Sequence, residues 1–467
     1  MTENDKRFNP RFSDSDKQLF ETAKDFACDY MSTAYDRHVN PTDQAIDDLN
    51  RFQEPLPANM CSAHDLLKLL HDVGSPASVT VTGGRYFGFV NGSSYPAALA
   101  AKWLSAVWDQ NPALYVISPI VSKLEEICEQ WLVELFGLPE GTVAGLVSGT
   151  STATMCGLAA GRLELFKRQG WDVNQKGIAG APPIRVVAGT QAHATVFKAL
   201  ALLGFGRENI ETVPVDDQGR MISSQLPELD DKTLLIVQAG NVNSGAFDPL
   251  EEICDKANKA EAWVHIDGAF GLWAEASGRF RHLTKGLEKA DSWSVDGHKT
   301  LNTPYDCGIV LCKHPEVLVE AMQASGSYIQ YGEHRDSMLY TPEMSRRSRA
   351  VELWATMKYL GRKGIEELVD RLCDNAQELA DQLKTAGFII HNDVVFNQVL
   401  VSCETSDQTT ATLANIQSSG DCWCGGSTWN DRPVIRISVC SWKTAKEDIE
   451  KTVACFIKSR KKAIQQQ

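Results

Sequence analysis

Trp263-Val264-His265-Ile266-Asp267-Gly268-Ala269-Phe270 is an apolar run that ends in a carboxylate and passes into small residues. Outward from it, short apolar runs recur at 184–188, 210–215, 234–239, 293–295 and 308–312, separated by amphipathic stretches. Runs this short and this continuously apolar read as strands buried on both faces, and helices between them make parallel crossovers the natural connection. The spacing therefore predicts an α/β large domain around a mostly parallel sheet. Ahead of it lies a polar helical arm in which Phe20, Ala23, Phe26, Ala27 and Tyr30 share one stripe, as expected of an arm that packs on something larger. From Ile120, the positions Leu124, Ile127, Cys128, Trp131 and Leu135 recur at helical spacing, and Gly137 closes that helix. Beyond residue 343 two long helical stretches precede strand-like segments near 388–391, 398–402 and 434–439 and a closing helix, which together read as a smaller α+β domain. The expected organisation is an N-terminal helical arm over 1–85, a large α/β domain over 86–343 and a small α+β domain over 344–467.

Sixty acidic against 46 basic side chains give a formal net charge of -14. That field repels phosphodiester backbones and anionic lipid surfaces, so no nucleic-acid or membrane partner is expected. The first residues lack the apolar core of a secretion signal, and apolar runs elsewhere are broken before membrane-spanning length. A soluble, cytoplasmic protein is expected. The 13 cysteines are scattered without paired CxxC spacing and read as reduced, packed thiols. Cys422-Trp423-Cys424 is read as incidental, and no metal site is expected.

Four fragments carry chemistry. In Asp291-Ser292-Trp293-Ser294-Val295-Asp296-Gly297-His298-Lys299-Thr300 a lysine sits just beyond an apolar strand, where desolvation disfavours the ammonium form and leaves an amine able to form an imine with an aldehyde. Asp267, at the end of its own strand, is placed to keep a pyridinium nitrogen protonated, with small residues after it to admit a flat ring. Ser148-Gly149-Thr150-Ser151 opens a helical stretch whose exposed amides and hydroxyls suit a phosphate dianion. Gln191-Ala192-His193 places an imidazole at a strand-to-helix turn, where it can lie on a ring. Each fragment also has an ordinary structural explanation: a surface lysine, a helix-capping aspartate, a good N-cap, a turn histidine. What sets them apart is that all four follow strands, in order, within one α/β region.

At these residues the sequence resembles the fold-type-I pyridoxal-phosphate (PLP) enzymes and, within them, the group II amino-acid decarboxylases, over about residues 85–453. Further likeness lies in Arg85-Tyr86-Phe87-Gly88-Phe89-Val90-Asn91, which resembles the family's early substrate-pocket segment, and in 345–349 with Trp354, which resembles the helix after its mobile loop. The resemblance implies pyridoxal 5'-phosphate as cofactor, with Lys299 as the imine lysine, Asp267 the pyridinium partner, His193 the stacking residue, and Thr150, Ser151 and His298 on the phosphate. It also implies Asn241 on the 3-hydroxyl side, Ala269 against the ring, Phe89 and Asn91 in the substrate pocket, and Arg436 near the substrate carboxylate. Arg436 is equally well read as a strand-end surface arginine. Thr152, Asn241 and Gly297 stand where many relatives carry glutamate, threonine, and proline or alanine.

The implied reaction is loss of the α-carboxylate of an L-amino acid in a homodimer with shared active sites. A loop tyrosine, from Tyr328, Tyr331 and Tyr340 with Tyr340 preferred, or else His193, would return the proton. An aminotransferase, an aldehyde-forming or carbon–carbon enzyme, and a non-catalytic PLP-binding protein remain the alternatives.

Overall fold

A computed structural model describes residues 11–324 and 332–466. Along the chain come α1 (Asp14–Thr33), α2 (Ala63–Leu69), α3 (Pro96–Trp108) and α4 (Pro119–Leu135). The large domain follows with β1 (Val143–Val147), α5 (Thr150–Arg168), β2 (Arg185–Gly189), α6 (Ala194–Leu202), β3 (Ile210–Val213), β4 (Thr233–Gln238), α7 (Leu250–Lys259), β5 (Trp263–Asp267), β6 (Ser292–Asp296), β7 (Gly308–Cys312) and α8 (Pro315–Met322). The remainder holds α9 (Ala350–Thr385), β8 (Ile389–Ile390), β9 (Gln398–Ser402), α10 (Ser406–Ser419), β10 (Gly425–Trp429), β11 (Arg432–Ser438) and α11 (Lys446–Gln465).

The first seven strands form one sheet in the order β1-β7-β6-β5-β4-β2-β3. Its residues alternate between two cores. Leu146, Val187, Leu235, Val264, Ile266 and Ile309 pack with α4 and α7 on one face. Val147, Val186, Ala188, Leu234, Ile236 and Val310 pack with α5 and α6 on the other. Burial on both faces is why these strands are apolar at nearly every position. Strands β2 to β6 pair in parallel, whereas β7 runs antiparallel to both β1 and β6. The physical reason is the connection: residues 297–307 hold no helix, and a parallel return to the neighbouring position needs a longer crossover.

The second sheet, β10-β11-β9-β8, is antiparallel and is covered by α10, α11 and the distal half of α9. The two helical stretches expected after residue 343 are the two halves of α9, divided at Gly361, whose φ of 62° takes it out of the helix. The segment after residue 85 turns toward this small sheet: Phe87 N–H donates to the Trp423 carbonyl at 2.8 Å, and Phe87, Tyr95 and Ala98 join the small-domain core. The boundary drawn at residue 85 therefore precedes a stretch that both lobes hold.

Helix α1 forms through its Ser13/Asp16 capping box, yet none of its residues is buried and Phe20 is 55 % exposed. Within one chain the apolar stripe of the arm meets little beyond α2 and the turn after it, where Phe26 stacks on His71 with centroids 4.1 Å apart. Among the described residues no helix is long and apolar enough to cross a membrane.

Candidate active site

The carboxyl ends of β1, β2, β4, β5 and β6 converge on one cavity of ≈ 390 Å³. Parallel α/β sheets leave such a crevice because the strands stop there and the helices set out from it. Thr150, Ser151, His193, Asp267, Ala269, His298, Lys299, Phe89 and Asn91 all line it. The structure also brings in side chains that the sequence reading left unassigned, among them Asp296, Tyr305, Gln238 and Thr195.

Asp267 is 4 % exposed at the end of β5, and its Oδ1 accepts the Ala269 N–H at 3.2 Å. Burial pushes its carboxyl above the ordinary value, with the charges of His193 and Lys299 opposing. His193 is the N-cap of α6, its Nδ1 2.7 Å from Thr195 Oγ1. Its structural role as a cap and its place in the cavity thus coexist. Burial lowers the pKa of this imidazole against the pull of Asp267, and does the same to His298 against Asp296, so both rings are held toward neutrality.

Lys299 Nζ lies 3.0 Å from Asp296 Oδ2. Asp296 is 2 % exposed, and its Oδ1 accepts the Thr150 N–H at 2.7 Å. Burial alone would raise this carboxyl; Lys299, His298 and the Thr150 amide more than reverse that and lower it below the ordinary value. The signal for Asp296 was present in the sequence, since it is a carboxylate closing an apolar strand just as Asp267 is, three residues before the lysine.

Phe89 and Val90 hold φ of 54° and 58°, uncommon for residues with a Cβ, and Phe89 stands 60 % exposed at the cavity mouth. Its ring stacks on Trp423 with centroids 5.5 Å apart, and Tyr305 Oη donates to Asn91 Oδ1 at 2.8 Å. Gly92 lies so close beneath the lysine loop that a Cβ there would run into the Lys299 and His298 carbonyl oxygens. Because both obstacles are backbone, Gly92→Ala is expected to cost about 1–3 kcal/mol of stability, read from urea unfolding midpoints.

Three expected residues are placed elsewhere. Asn241 is buried beside the cavity, but its Oδ1 accepts the Asn243 and Ser244 N–H groups at 2.8 and 3.2 Å and so closes the turn after β4. Arg436 on β11 does not line the cavity. Its guanidinium has no hydrogen bond or ion pair to another described residue, burial lowers its pKa, and its charge reaches His193. Tyr340 packs with its ring over Arg335, 4.2 Å from centroid to guanidinium, and lies against the core beneath α5 rather than on the cavity. Tyr328 and Tyr331 lie outside the described residues.

The donor set fits a phosphorylated pyridine aldehyde. Thr150 Oγ1 is buried at the start of α5 without a hydrogen-bond partner, which is the condition of a hydroxyl awaiting an acceptor. A lysine, a buried carboxylate and a histidine surround a volume bounded by the small Ala269.

Residues 52–403 match the family described as the pyridoxal-dependent decarboxylase conserved domain. Among curated proteins the chain is 29% identical over 336 residues to the acidic amino acid decarboxylase GADL1 of Homo sapiens, covering 69% of this chain and 63% of that protein. It is 26% identical over 386 residues to tryptophan decarboxylase 1 of Oryza sativa subsp. japonica, covering 77% of this chain and 74% of that one. The matched region thus spans under two thirds of the human relative's length. Among solved structures, that of Oryza sativa TDC with PLP and tryptamine superposes with a TM-score of 0.89 at 21% identity, over 97% of this chain and 99% of that one.

Proposed function

Because the chain belongs to the pyridoxal-dependent decarboxylase family, we propose that it is a PLP-dependent carboxy-lyase that removes the α-carboxylate of an L-amino acid. The observation that carries this is the convergence of Lys299, Asp267, His193 and the Thr150–Ser151 turn on one cavity. When bound, the cofactor supplies an electron sink for the bond to the departing carboxylate. Lys299 would hold the aldehyde carbon, Thr150 and Ser151 the phosphate with His298 nearby, and Asp267 the proton on the ring nitrogen. His193 would lie on the ring and Ala269 would leave room beneath it. Arg436, a half-buried guanidinium without a described partner, would orient a substrate carboxylate, and Phe89 and Asn91 would border the substrate. With Tyr340 packed on Arg335, the proton that replaces the carboxylate falls to His193 or to Tyr328 or Tyr331.

We also place a second copy of the chain against the arm. Trp103, Leu104, Val107 and Trp108 on α3 are exposed, as is Phe20 on α1, and Phe89 and Tyr305 stand open at the cavity mouth. A homodimer would cover these surfaces and complete the site. Thirteen unpaired cysteines favour a reducing compartment, and we assign the enzyme to the cytoplasm.

The decisive experiment labels the cofactor lysine. The purified protein is expected to show a visible absorption band that borohydride bleaches, with the reduced label on Lys299. A label on any other lysine overturns the assignment. Carbon dioxide released from one amino acid in a panel, with no keto acid added, is expected alongside, and a keto-acid requirement would instead indicate transamination.

A further inference from the structure

Among the described residues, the cavity lining includes one lysine and no arginine. Its two histidines are held toward neutrality by burial, while its two carboxylates, Asp267 and Asp296, sit at opposite duties. Asp267 stands at the end of β5, where a ring nitrogen would meet it. Asp296 stands on the phosphate side. Its Oδ1 takes the Thr150 N–H at 2.7 Å, its Oδ2 lies 3.0 Å from Lys299 Nζ, and the same oxygen faces His298 Nε2 at 3.7 Å. His298 Nδ1 accepts the Cys307 N–H at 3.0 Å, so the proton of the neutral ring is on Nε2 and points toward Asp296. The amide and the imidazole N–H that a phosphate ester would recruit are thus already turned toward a fully buried carboxylate, which also holds the lysine.

On the basis of the function proposed above, we propose that Asp296 is a resident anion of the phosphate site, competing with the cofactor's phosphate for the Thr150 amide and its neighbours. A dianion brought to this place gains the free Thr150 hydroxyl but loses the amide unless Asp296 turns away, and it meets a like charge with no guanidinium among the described lining residues to offset it. The consequence is that the phosphate group adds less to cofactor retention than the turn's donors would otherwise give. The cofactor is held chiefly through Lys299 and Asp267, and the site accepts non-phosphorylated pyridoxal with a smaller penalty.

The test compares PLP with pyridoxal, which share the ring and aldehyde and differ in the phosphate. Protein stripped of cofactor is titrated with each aldehyde and followed by the visible band of the lysine-bound form. In D296N the dissociation constant for PLP is expected to fall about tenfold or more, while that for pyridoxal changes by less than about threefold. Because losing the Asp296–Lys299 pair affects both aldehydes alike, the ratio isolates the phosphate. Asp296→Ser, which removes the charge with a smaller side chain, is expected to move the ratio the same way and serves if D296N does not fold. A ratio that stays at the parent value in the folded variant, or PLP binding that weakens, overturns the role of Asp296 and leaves the cofactor assignment standing. A parent protein that forms no band with either aldehyde overturns both.

Discussion

Asp267→Asn is expected to keep bound pyridoxal phosphate and to lose about a hundredfold or more in kcat. The amide has the shape of the carboxyl and keeps an oxygen for the Ala269 N–H, so the turn after β5 survives. What it lacks is the charge that holds a proton on a ring nitrogen placed against it. The environment makes that charge matter: Asp267 is buried at the end of β5, and burial pushes its carboxyl toward the protonated form while His193 and Lys299 pull the other way. A group balanced in this manner shares its proton readily with a basic neighbour, whereas a neutral amide holds none to share. Absorbance of the bound cofactor separates retention from turnover. Near-normal kcat in a variant with full cofactor content would remove Asp267 from its role.

Those parts of the site whose cause is local were legible in the sequence. Lys299, Asp267, His193 and the Thr150–Ser151 turn each follow an apolar strand, and in a parallel sheet that rule alone sends them to one edge. Asp296 obeys the same rule, closing β6 as Asp267 closes β5. What lay beyond local pattern depends on partners far along the chain. Nothing near Phe87 announces that its amide meets Trp423, and nothing near 308–312 announces that this strand enters between β1 and β6. Tyr340 was expected at the site because Thr341-Pro342 limits how the chain turns back. Its position is set instead by Arg335, which two glutamates on α4 hold in place and over which the phenol ring lies. Those glutamates are some two hundred residues away, as the separation of 206 between Arg335 and Glu129 shows, and only tertiary packing connects them.

The same cluster carries the largest expected effect on stability. Glu125, on α4, is 1 % exposed; its Oε1 accepts from Arg346 at 2.8 Å, and its Oε2 lies 3.7 Å from Arg335. Arg335 in turn pairs with Glu129 at 2.7 Å and donates to the Ala144 carbonyl, so the cluster ties α4 and the start of β1 to residues 335–346. Burial pushes the Glu125 carboxyl up, but Arg346 and Arg335, with the Ser337 hydroxyl, reverse this and leave it below the ordinary value of 4.5. Glu125→Gln keeps the volume and removes the charge, stranding the guanidinium of Arg346, itself 3 % exposed, and leaving Arg335 with Glu129 alone. The expected cost is about 3–5 kcal/mol at neutral pH, measured as a lower urea midpoint. The sign with pH follows from the lowered pKa: the carboxylate's contribution is present above 4.5 and is lost as pH falls through the lower folded value. The gap between parent and variant should therefore be widest near neutrality and narrow in acid, as the parent's own Glu125 takes up a proton and comes to resemble the glutamine. A gap that keeps its size across that range would mean that shape, and not charge, holds the cluster together.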